Sequence, residues 1–180
     1  MVREHIDTRW EDPDKLMPPS DKTREGVLSR VVKDIAGQRL AFPNAEFPSL
    51  RTHVNVPGPA LVLRAADGAE LTPDIVVAEA RSNRPQILAA VETVDTVTDD
   101  RATGRWLPFS QVPDTTFYLY VPAGFAAEAK RLLKKHRIKS EGLRTWRYVT
   151  GLETLDITDI GYGSLLELLL PPFLLRRRGH

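Results

Sequence analysis

Two apolar runs flanking a polar turn constrain this chain most. Residues 73–94 read PDIVVAEARSNRPQILAAVETV. Ile75 to Ala80 is rich in β-branched residues, and Gln86 to Val91 is nearly as apolar. Arg81-Ser82-Asn83-Arg84-Pro85 between them carries the turn-forming types, so the segment reads as an antiparallel hairpin. Such a hairpin must bury at least one face, and its runs are too short for helices. Asp74 opens the first strand and Glu92 closes the second. A turn centred on Asn83 sets Asp74 opposite Glu92, where Cβ atoms of facing residues lie about 4.5–5.5 Å apart. Two facing carboxylates repel unless a cation or a proton lies between them, so the pair is a candidate metal site.

Pro73-Asp74, followed by a hydrophobic strand ending Val91-Glu92-Thr93-Val94, resembles the signature of the PD-(D/E)XK nuclease superfamily. The resemblance implies a restriction-endonuclease-like α/β core, a mixed central sheet flanked by helices, acting on DNA phosphodiesters. It implies Mg²⁺ or Mn²⁺ held by Asp74, Glu92 and the Thr93 carbonyl, with Glu25 of the first helix as a further acid. The superfamily's lysine stands two residues after the Glu, and here that residue is Val94. Two expectations follow. In one, a cation from elsewhere, Arg101 or Arg105, replaces the lysine in a metal-dependent nuclease. In the other, the fold is kept without the chemistry, and the domain binds nucleic acid or protein. A third reading makes the acids a surface pair on an unrelated α+β domain.

The order of elements accompanies this signature. DKTREGVLSRVVKDIAG places Val27, Leu28, Val31, Val32 and Ile35 at helical spacing, and Gly37 is the expected stop. Glu25 in its first turn is also what the helix dipole favours on an ordinary solvated helix. Leu50–Val56 and Ala60–Ala65 read as strands around Pro57-Gly58-Pro59, and Asp67-Gly68 signals a hairpin turn. His53 falls in the first of these strands with no second histidine near it, which is the pattern of a structural residue. Thr98 or Asp99 caps a helix expected to reach about Phe109, with Arg101 and Arg105 one turn apart on one face. Thr116–Val121 reads as a buried strand, Phe125–His136 as an amphipathic helix, and Ile138 followed by Leu143–Thr150 as a last strand or pair of strands.

The expected organisation is an N-terminal arm over 1–21, a core over 22–150, and a C-terminal extension over 151–180. The extension carries SLLELLL, then PPFLL and three arginines, and is expected to pack on the core or at a homodimer contact. It is too short to span a bilayer. The net charge of +1 supplies no bulk basic field, so any contact with DNA rests on local arginines: Arg81, Arg84, Arg101 and Arg105, with the Lys130–Lys135 group as a further source. The absence of cysteine excludes disulfides and thiolate metal sites. A charged N-terminus and no apolar run of about 20 residues make a cytoplasmic protein the expectation.

Overall fold

The structure, a computed structural model, describes residues 21–151 and 153–160. The N-terminal arm and the leucine-rich tail lie outside the described residues. The element order is α1 (Asp21–Arg39), β1 (Leu50–Val54), β2 (Leu63–Arg64), β3 (Glu70–Leu71), β4 (Ile75–Glu79) and β5 (Pro85–Val91). A helical segment follows, in which α2 (Asp99–Arg101) passes into a π-helical stretch (Ala102–Trp106) and then α3 (Leu107–Ser110). It leads to β6 (Thr116–Pro122), α4 (Ala126–Lys135), β7 (Gly142–Tyr148) and β8 (Leu155–Asp159).

Six strands form one mixed sheet in the order β1-β4-β5-β6-β7-β8, and β2 and β3 make a small separate ladder. β5, β6 and β7 are parallel neighbours, and the β1, β4 and β8 pairings are antiparallel. Parallel neighbours need crossovers. The two helical crossovers both cover one face of the sheet, where Ala102, Trp106, Phe109, Ala129 and Leu132 pack on Val76, Leu88, Ala90 and Leu119. α1 covers the other face with Val31, Val32, Ile35 and Ala36 against Ile75, Val77, Ala89 and Tyr120. Helices on both sides explain why β4, β5 and β6 are apolar at nearly every position rather than alternating.

Several boundaries differ from those read from the residues. α1 continues through Gly37 to Arg39 because its last turn is tied to the sheet. Gln38 Nε2 donates to the Leu155 carbonyl at 3.2 Å and Arg39 Nη2 to the Ile157 carbonyl at 3.0 Å. These bonds also cover carbonyls of β8, the edge strand. β1 ends at Val54, and the expected Ala60–Ala65 strand shrinks to Leu63–Arg64. Asn55 is the cause. Its side-chain oxygen accepts the Ala60 and Leu61 amides, at 2.7 and 2.8 Å, and wraps the chain into a loop.

The hairpin register also differs. Ile75 pairs with Ala89 and Val77 with Ile87, a register two residues away from a turn centred on Asn83. Asp74 and Glu92 are therefore not directly opposed. The turn closes through bonds from the Asn83 amide to the Glu79 carbonyl and from the Glu79 amide to the Arg84 carbonyl. Asn83 adopts a left-handed backbone (φ 55°), and an irregularity at Val77/Ala78 absorbs the mismatch. Because side-chain direction has a period of two, this shift keeps both acids on one face, now as diagonal neighbours.

Candidate functional site

Asp74 and Glu92 meet at one end of the sheet, where β4 begins and β5 has just ended. In open α/β sheets this end, outside the carboxyl ends of parallel strands, is where ligands bind. Both acids are buried: Asp74 is 3% exposed and Glu92 0%. The Pro73–Asp74 backbone is pinned by Asn55, whose side chain donates to the Pro73 carbonyl at 2.7 Å and whose amide donates to the Asp74 carbonyl at 2.9 Å. The Glu92 backbone is pinned from two sides. Its amide donates to the Tyr120 carbonyl at 2.8 Å, and its carbonyl accepts the Trp146 indole at 3.1 Å.

The side chains are held by the helical segment that follows β5. Thr98 caps its start, accepting the Arg101 amide. Arg105 Nη2 donates to Asp74 Oδ1 at 2.9 Å and to the Thr72 carbonyl at 3.3 Å. Its Nη1 lies 3.7 Å from Glu92 Oε1, so the guanidinium stands between the two carboxylates. Its guanidinium carbon also lies over the Phe109 ring, 5.4 Å from the ring centre. Trp106 Nε1 donates to Glu92 Oε1 at 2.7 Å, and Arg101 Nε lies 3.8 Å from Glu92 Oε2. Three side chains spread over residues 101–106 thus converge on one carboxylate. The π-helical stretch widens the turn so that residues five apart come level, which an α-helix would not do.

Asp74 spends its second oxygen on the Val91 amide, at 2.8 Å. Glu92 Oε2 is fully buried and has no hydrogen-bond partner, since Arg101 stands beyond hydrogen-bonding distance. Burial pushes the Glu92 carboxyl above the usual carboxylate range. The Thr96 hydroxyl, the Trp106 indole and the two guanidiniums oppose that shift.

Comparison with protein-family models, curated proteins and solved structures returns no match. The chemistry of this site therefore rests on its own geometry.

That geometry does not fit a divalent metal as it stands. Arg105 occupies the space between the acids, and both oxygens of Asp74 are committed. The Thr93 carbonyl, the expected third ligand, accepts the Thr96 amide at 3.1 Å and its hydroxyl at 3.3 Å. Among the described residues no group of three or more His, Cys, Asp or Glu side chains is placed to hold a metal. Glu25 is exposed on α1, and Leu28, one turn further on, lines the cleft at the site. Val94 is 57% exposed and lies beyond the end of β5, so it does not continue the strand face as expected for the lysine position.

The four arginines do not form one surface. Arg101 and Arg105 stand at the acids, on the wall of a cleft of about 390 Å³ that Asn55, Thr72 and Asp74 also line. Arg81 and Arg84 sit at the hairpin turn, the far end of β4, and Arg84 pairs with Asp114 at 3.2 Å. On α4, Arg131 pairs with Glu128 and Lys135 with Asp99, both at 2.5 Å, while Lys130 and Lys134 are exposed. Hydrogen bonds from Lys135 and His136 hold the Asp99 carboxyl down to about 2. His53 stays apart from the site, its Nε2 buried without a partner and its pKa lowered by burial and by Arg51. The residues missed from sequence were Asn55 and Trp106. Trp106 carried a usable signal: an indole on the buried side of an amphipathic helix needs an acceptor for its N–H.

Proposed function

We propose that the chain is a restriction-endonuclease-like domain that binds nucleic acid without cleaving it. The observation that carries this reading is Arg105, which supplies the positive charge between Asp74 and Glu92. A fixed guanidinium neutralises the acids but cannot generate a hydroxide nucleophile, because it does not lower the pKa of a bound water as a metal does. Glu92 is sealed from solvent, so neither a phosphodiester nor its attacking water reaches it. Two further features support the fold assignment behind this reading. Both acids come to one end of a mixed sheet, and the helix–strand–helix–strand order that follows β5 agrees with the resemblance.

Arg101 is the cation best placed for a phosphate, with a side chain 38% exposed at the cleft. The test is fluorescence anisotropy with labelled single- and double-stranded DNA and RNA, in Mg²⁺ and in EDTA, over a salt series. The expected result is binding that weakens with salt, is indifferent to EDTA and leaves the oligonucleotide intact. Arg101→Ala should lower the log–log salt slope by about 1. Mg²⁺-dependent cleavage abolished by Asp74→Asn would restore the nuclease reading. Absence of binding to every form at low salt would leave a protein partner.

A further inference from the structure

We infer that Arg105 is the resident counter-cation of the Asp74–Glu92 pair and closes it to divalent metals, so that a divalent-cation site opens only when the guanidinium is removed. This stands on the geometry alone and holds whether or not the domain binds nucleic acid.

The two carboxylates need a cation in any state in which both are charged, because they share one buried pocket. Arg105 fills that need and is held firmly. It bonds Asp74 and the Thr72 carbonyl, lies over the Phe109 ring, and its side chain is only 19% exposed. A metal entering between the acids would have to break the bond to Asp74 Oδ1 and expel the guanidinium. Losing one charge-assisted hydrogen bond weakens a competing ion by about 10- to 100-fold.

A second observation shows that the pair still offers more than Arg105 uses. Glu92 Oε2 is fully buried with no hydrogen-bond partner, so a hard oxygen donor is left over on the same carboxylate whose Oε1 faces Arg105, with Arg101 3.8 Å from it. Removing the Arg105 side chain frees Asp74 Oδ1 and opens that space to the neighbouring cleft. Two carboxylate oxygens with water entering from the cleft are a donor set suited to Mg²⁺ or Mn²⁺, which keep several waters when bound. With Arg105 gone, Arg101 at 3.8 Å from Glu92 is the one cation left beside the pair among the described residues, so two buried carboxylates are left with less than their full neutralising charge and attract a divalent ion.

The experiment is a Mn²⁺ titration followed by electron paramagnetic resonance of the free ion, on the full chain, with Arg105→Ala, Asp74→Asn and the double variant. The wild type should take up Mn²⁺ no better than Asp74→Asn. Arg105→Ala should bind one Mn²⁺ about 10- to 100-fold more tightly than the wild type, and the double variant should lose it. Asp74-dependent binding by the wild type that matches Arg105→Ala would overturn the inference, as would a folded Arg105→Ala that gains nothing. Should Arg105→Ala melt too low for the titration, its unfolding midpoint with and without Mn²⁺ gives the same reading. A midpoint raised by Mn²⁺ supports the inference, and an unchanged one overturns it.

Discussion

Arg105→Ala, without metal, should destabilise the fold in a pH-dependent way. The substitution removes the cation between two buried carboxylates while leaving both acids in place. Breaking a buried ion pair from one side costs about 3–5 kcal/mol, since the remaining charge stays buried and unpaired. The lower end applies here, about 3 kcal/mol, because Arg105 is partly open to the cleft and water can enter its place. For a domain of this size that corresponds to a fall of about 6–12 °C in Tm. The pH dependence follows from Glu92, whose folded pKa is already raised by burial and would rise further without the guanidinium. A carboxyl with a raised folded pKa favours the folded state below its unfolded pKa, and that contribution is lost as pH rises through the folded value. The deficit of Arg105→Ala should therefore be smaller near pH 4.5, about the ordinary carboxylate value, than near pH 8. Thermal unfolding by circular dichroism at both pH values, with Asp74→Asn and the double variant completing a cycle, measures it. A loss below about 1 kcal/mol at pH 8, or a loss equal at both pH values, would refute the reasoning.

Two further outcomes follow from particular positions. Val94→Lys, which places a lysine where the resembled signature has one, should change stability by no more than about 0.5 kcal/mol and create no cleavage, because Val94 is exposed and off the strand. Metal-dependent cleavage by this variant, read on a labelled duplex, would contradict that placement. Gly142→Ala should cost about 1–3 kcal/mol in urea unfolding, since its Cβ would come within 2.8 Å of the Tyr118 ring. That ring cannot give way easily, because it is buried and the Arg144 guanidinium stacks on it at 4.4 Å.

The strands that are buried on both faces were legible in the sequence. β4, β5 and β6 are continuous apolar runs, and the helical crossovers that follow β5 and β6 are marked by the Thr98 cap and by the spacing of Ala129 and Leu132. β8 was not legible. Leu155-Asp156-Ile157-Thr158-Asp159 is an edge strand with only Leu155 and Ile157 buried, so too few apolar positions mark it, although it pairs with the preceding strand β7. The hairpin register was misplaced for a related reason. The apolar pattern requires Asp74 and Glu92 to share a face, and both registers satisfy it, so the turn geometry at Asn83 decides. The acids themselves were legible as a pair in need of a cation, and Arg101 and Arg105 were legible as candidates from their spacing. Which cation occupies the pair was not, because that depends on the π-helical stretch, which no local pattern marks. Trp106 and Asn55 act through long-range bonds to Glu92 and to the Pro73–Asp74 backbone, and sequence distance hid both.

The most direct measurement is a crystal structure of the wild type grown or soaked in millimolar Mn²⁺, with anomalous data collected to locate the ion. Arg105 Nη2 should remain in contact with Asp74 Oδ1, near 2.9 Å, with no anomalous peak between Asp74 and Glu92. A Mn²⁺ peak bridging the two carboxylates, with Arg105 turned out into the cleft, would contradict the account and return the site to a metal-dependent chemistry.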